Sequence, residues 1–144
     1  MPMLEMKITG LREVDNALKQ LPLKLQRKVL SQAASAGATV IKKEAKRLAP
    51  VQTGTLKKSI VAKKKKGSKA WFPIYLIGPS QQGWYGRLVE FGWMAKGARF
   101  IPGTRWLTKA ADNSYKKAIQ KVQDVLRKNI GKEAQKVGLK VGSV

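Results

Sequence analysis

The chain has 144 residues, 30 of them Lys or Arg and 8 Asp or Glu, a formal net charge of +22 with no histidine to adjust it. A hydrophobic content of 43% fits one domain with a packed core and not a disordered polycation. Without Cys or His, disulfides, thiolate nucleophiles, the usual zinc sites and imidazole base catalysis are excluded, and no cofactor is expected. Met1 to Gly10 has neither a basic start nor a sustained apolar run, and no later run approaches the ~18 apolar residues of a membrane span. A protein made and kept in a cytoplasm, with no membrane partner, is the expectation.

Leu11, Val14, Ala17, Leu18 and Leu21 recur at spacings of three and four, one face of a short helix that Pro22 ends. Proline is tolerated at a first helical position, so a second helix is predicted from Pro22 to Leu48. Its stripe is Leu25, Val29, Ala33, Gly37, Val40, Ile41, Ala45 and Leu48, and the small residues of its middle invite close approach. Lys46 and Arg47 suit the negative end of the helix dipole, and Ala49-Pro50 closes it.

From Val51 to Trp93 the helical period gives way to β-branched and aromatic residues. Ser59 to Lys66 and Ala70 to Gly78 are two strand candidates around the loop Gly67-Ser68-Lys69. Pro73 cannot donate to a ladder, which demands an edge position or a strand that begins after it. A third strand or short helix covers Tyr85 to Phe91, and Gly92 to Gly103 reads as a long loop. Thr104 is an N-cap candidate for a last helix with the stripe Leu107, Ala111, Ala118, Val122, Val125 and Leu126, ending before Gly131. The class is α+β: a short N-terminal helix, a long helix, an antiparallel sheet with a basic hairpin, and a C-terminal helix packed on the sheet. Residues 1–130 form the single domain, and 131–144 are expected as a flexible basic tail.

Lys57, Lys58, Lys63, Lys64, Lys65, Lys66 and Lys69 form the densest positive segment, with no acid between Lys57 and Lys69. Two readings stand: a hairpin tip that meets phosphates or an acidic partner, and a solvated edge whose lysines deter strand-to-strand pairing. Trp71 and Trp106 adjoin apolar runs, as core residues do, whereas Trp84, Tyr85 and Trp93 flank glycines and suit a subunit or partner contact. Glu44 and Glu90 lie among apolar residues and do not make a catalytic pair; Arg87, Arg99 and Arg105 are the candidate partners of Glu90. No phosphate-cradling glycine motif is present. An assembly protein, a free basic nucleic-acid-binding module and a small ribonuclease built on Tyr85, Arg87 and Glu90 are the function classes to separate.

Several segments occur in one order: Gly10-Leu11 with Leu18 to Pro22, the helix through Gly37-Ala38 to Ala45-Lys46, the stretch Ala49 to Ile60, and Val89-Glu90-Phe91-Gly92. The third has the form A-P-x-x-T-G-x-L-x-x-S-I, carried by Ala49, Pro50, Thr53, Gly54, Leu56, Ser59 and Ile60. In these segments the chain resembles the tail-completion (neck, head-to-tail joining) proteins of long-tailed double-stranded DNA bacteriophages. That family commonly closes its core with P-F-L-R-P-A; here the stretch reads Arg105-Trp106-Leu107-Thr108-Lys109-Ala110, with basic residues in place of both prolines. The resemblance implies a non-enzymatic virion protein, assembled in the host cytoplasm, that forms a ring on the tail axis, a hexamer being the expected copy number. Its implied partners are other copies of itself, tail tube or tail terminator proteins and head connector proteins. A ring around a DNA channel would give Lys63 to Lys66 and Lys69 a lumen to face. Within the motif, Thr53-Gly54 is expected to turn with Gly54 at positive φ, and Leu56 and Ile60 to anchor the chain into the sheet.

Overall fold

The computed structural model describes residues 4–7, 17–51, 54–69 and 73–136. Residues 17–19 are helical and Leu18 and Leu21 are buried, in keeping with the end of the first predicted helix; Leu11 and Val14 lie outside the described residues. Pro22 then caps helix α1 (Leu23–Leu48) from outside, with φ −53 and ψ 145. The extended conformation at Ala49, forced by Pro50 behind it, ends the helix where the sequence predicts.

Helix α1 buries two rows, not one. Val29, Ala33, Gly37, Ile41 and Ala45 form the predicted row, and Leu30, Ala34 and Ala38 form a second beside it. A helix that packs on a sheet with one flank and on another helix with the other needs both. The partner helix, α4 (Trp106–Lys136), runs antiparallel to α1, because Lys28 bonds Glu133 and Gln32 bonds Asn129. The alanines of α1 face Ala118, Val122, Leu126, Ile130 and Ala134, so the two backbones approach closely. Each large aliphatic side chain fully buried here is worth about 1.5–3 kcal/mol of transfer free energy. Helix α4 reaches the sheet where Ala118 joins Ala38, Ile41 and Ile77 in one buried cluster. It continues through Gly131 to Lys136, with Ala134 fully buried, so the first part of the expected tail is packed helix; 137–144 lie outside the described residues.

The short helix α2 (Thr55–Ser59) leads from α1 into the sheet, starting at Gly54 with φ 78, and Leu56 and Ile60 are buried as the motif reading expects. The sheet is antiparallel with β3 (Ile74–Pro79) between β1 (Leu4–Lys7) and β2 (Ile60–Lys64). Strand β1 is an element the sequence reading lacks. Lys64 pairs with Tyr75 and Ile60 with Pro79, and the Lys65 amide donates to Ile74 at 2.8 Å, so the β2–β3 hairpin carries the lysine run to its tip. Pro73 precedes the first ladder residue, which is how a central strand accommodates it.

Tyr85 to Phe91 resolves as a helix, α3 (Gly86–Phe91). The segment Gly92 to Gly103 is not a long loop. It is a second antiparallel hairpin, β4 (Gly92–Ala95) with β5 (Arg99–Pro102), pairing Trp93 with Ile101 and Met94 with Phe100. Its turn is closed by Gly97 and Ala98 at φ 83 and 59, and the intervening apolar residues pair as strands despite the flanking glycines. Thr104 does not cap α4 either: its amide and hydroxyl both donate to the Val89 carbonyl, and Arg105, at φ 56, stands between it and the helix.

Candidate functional site

The cap of α4 comes from Glu90, on α3. Its carboxylate accepts the Leu107 amide at 2.7 Å, the Thr108 amide at 3.2 Å and the Thr108 hydroxyl. These amides are among the orphan donors of a helix N-terminus, where the dipole also favours an anion. Glu90 is 1% exposed, and the three donors satisfy the charge that burial takes out of water. Arg105 does not take the ion-pair role; its guanidinium lies over the Phe91 ring, 5.0 Å from the centroid. The carboxylate of the proposed Tyr85, Arg87 and Glu90 cluster is therefore directed at a helix end.

This cap fixes the loop entering α4 against α3, and a groove of about 640 Å³ opens beside it. Pro50, Thr55, Leu56, Tyr85, Val89, Trp93 and Thr104 line it. Pro50 arrives because it stops α1, and Leu56 because Gly54 turns the chain into α2. Tyr85 stands at the N-cap of α3 and Val89 within it, and Trp93 comes from β4. The structure thus brings two of the residues read as a contact, Tyr85 and Trp93, to motif residues far away in sequence. Trp84 stands against Tyr85 edge-to-face, ring centroids 6.1 Å apart, and is 64% exposed. Val51, Leu88, Phe91, Met94 and Phe100 are exposed as well. From sequence Phe91 stood out as a motif residue, and the other four were not read as a contact; the signal available was apolar side chains on short elements.

Four further motif residues, Ala49, Ser59, Ile60 and Gly92, have packing or turn roles. Ala49 and Ile60 are buried with Leu56, Trp106, Leu107 and Ala110. Ser59 donates its hydroxyl to the Leu56 carbonyl, and Gly92 ends α3 at φ 94. Thr53 and Trp71 lie outside the described residues.

None of the lysines of the basic run lines the groove. Lys63, Lys64, Lys65, Lys66 and Lys69 are exposed on the β2–β3 hairpin, and Lys64 reaches Ser31 of α1 at 3.5 Å. On the α1–α4 seam, the ammonium of Lys28 holds Glu133 below the usual carboxylate range, and Arg47 does the same for Glu44. Among the described residues no group of His, Cys, Asp or Glu could hold a metal ion, and no helix is long and apolar enough to cross a membrane.

Neither a curated protein nor a solved structure matches the chain. A family model described as "Bacteriophage HK97-gp10, putative tail-component" matches residues 12–92, more than half of the 144. The match runs through the segments that supply Pro50, Thr55, Leu56, Tyr85 and Val89 to the groove and stops just before Trp93. The chain belongs to the HK97-gp10-like family of bacteriophage tail components.

Proposed function

We propose that this tail component is a non-enzymatic tail-completion protein, assembled in the host cytoplasm and positioned at the neck, where it makes a finished tail competent to join a DNA-filled head. The observation that carries the reading is the groove built from Pro50, Leu56 and Val89 beside exposed Trp84 and Trp93. Apolar area of this kind on a virion component is surface left for assembly. The Glu90 carboxylate, held by a helix N-terminus, supports the non-enzymatic side of the reading. In the assembled ring the β2–β3 hairpin faces the channel, where Lys63 to Lys66 and Lys69 lie against the DNA end.

Deleting this gene alone from a prophage and imaging the induced lysate by negative-stain electron microscopy tests the reading. Filled heads beside separate, unjoined tails are expected. Joined and infectious particles would overturn it and turn attention to salt-dependent binding of free nucleic acid. The lumen role has its own test. Replacing Lys63 to Lys66 with Gln together should leave the fold intact, since all four are exposed, and lower the number of infectious particles per assembled virion. An unchanged ratio would remove the hairpin from the channel.

A further inference from the structure

From Pro50 to Lys109, the stretch that supplies every lining residue, the chain carries Lys57, Lys58, Lys63 to Lys66, Lys69, Arg87, Lys96, Arg99, Arg105 and Lys109, and its only acid is Glu90. Glu90 is buried and occupied by the amides of α4. The segments that build the groove therefore carry exposed basic residues and no exposed acid. Lys57 and Lys58 follow the lining residue Leu56 directly on α2, Arg105 follows Thr104, and all three are exposed.

This combination selects among occupants. A second copy meeting the same face across a two-fold axis would set these cations against their own duplicates, and a ring neighbour meeting it with another face would bring a surface of a chain that carries +22 and only 8 acids. A nucleic acid would satisfy the cations, but the recess itself is walled by the apolar side chains of Pro50, Leu56 and Val89, which suit an inserted apolar side chain and offer a base edge no hydrogen-bond partner; stacking of bases on exposed Trp84 or Trp93 is left as an outcome of the test. We propose that the groove docks an acidic segment of a different virion protein, which inserts one aliphatic or aromatic side chain between Leu56, Val89 and Trp93 while its carboxylates meet Lys57, Lys58 and Arg105. This deepens the reading of Tyr85 and Trp93 as an assembly contact. It does not depend on where the β2–β3 hairpin points.

The full-length chain, immobilised, is used to select binders from a library of random peptides about 12 residues long, and the winners are measured by fluorescence anisotropy against the wild type and two variants. The variants are Trp93→Ser and the double change Lys57→Glu with Lys58→Glu, all at exposed positions, each checked for retained helicity. Selected peptides are expected to carry Leu, Phe or Trp flanked by Asp and Glu. Their Kd is expected to rise at least about tenfold in each variant, and binding to weaken as salt is raised. Winners without an acidic bias, no winners, or binding indifferent to both variants would overturn the proposal. So would displacement of the peptides by an oligothymidylate that binds through Trp93, or a dimer in sedimentation equilibrium that Trp93→Ser dissolves. Failure here would leave unjoined heads and tails in the deletion strain unaffected, so the two readings fail separately.

Discussion

Replacing Glu90 with Ala is expected to lower the unfolding free energy by about 3 kcal/mol, read as a fall of about 2 M in the urea midpoint. The loss has two sources. The carboxylate accepts two amides and a hydroxyl at the first turn of α4, and the net worth of hydrogen bonding to a charged group is about 1.5–3 kcal/mol, not additive over donors that share one carboxylate. Its removal also strands the buried Leu107 amide without its acceptor. Glu90→Gln separates the two: it keeps one acceptor oxygen and nearly the same volume but turns an NH₂ toward donors, so a loss of about 1–2 kcal/mol is expected. Thr108→Val, which keeps the amide and drops the hydroxyl, should cost less than either. A Glu90→Ala midpoint equal to wild type would mean that α4 is held by packing alone.

That role explains why Glu90 was visible in the sequence and its duty was not. An acid within Leu88-Val89-Glu90-Phe91 announces a buried charge needing a partner, and arginines are the partners a sequence reader looks for. The actual partners are backbone amides 17 and 18 residues on, which carry no residue identity, joined by the Thr108 hydroxyl. Helix α1 was legible because Pro22 and Pro50 bracket an uninterrupted 3.6-residue period. Its second buried row of Leu30, Ala34 and Ala38 was not, since a single helix cannot state how many neighbours it packs against. The β2–β3 hairpin was legible from its β-branched and aromatic residues and from the loop Gly67-Ser68-Lys69, whereas β4–β5 was hidden by glycines that also punctuate loops. Strand β1 is four residues, Leu-Glu-Met-Lys, and owes its existence to the open edge of β3. Tyr85, Trp93, Pro50 and Leu56 were each singled out from sequence, but their meeting in one groove is a product of topology. It needs α1 to stop, α2 to turn, and α3 to return over α2.

Trp106→Ala is expected to be the most damaging single core substitution at that junction, at about 4 kcal/mol and roughly 10 °C in Tm. Trp106 is 2% exposed and packs with Ala45 and Ala49 from the end of α1, Leu56 and Ile60 from the entry to the sheet, and Tyr85 and Val89 from the N-cap and body of α3. Its indole N–H donates to the Gly86 carbonyl at 3.3 Å, so the side chain fastens α3 to the first turn of α4 as well as filling the space. Truncation leaves a cavity that three separate elements would have to close, and the short helices α2 and α3 have few other buried contacts with which to hold position. Trp106→Phe keeps most of the volume and gives up the hydrogen bond, and should cost about 1–2 kcal/mol. Because Leu56, Tyr85 and Val89 belong both to this cluster and to the groove, the same truncation is expected to weaken peptide binding while Trp106→Phe largely preserves it. A Trp106→Ala protein that unfolds at the wild-type temperature would show that the groove stands on Glu90 and the α1 terminus without the indole.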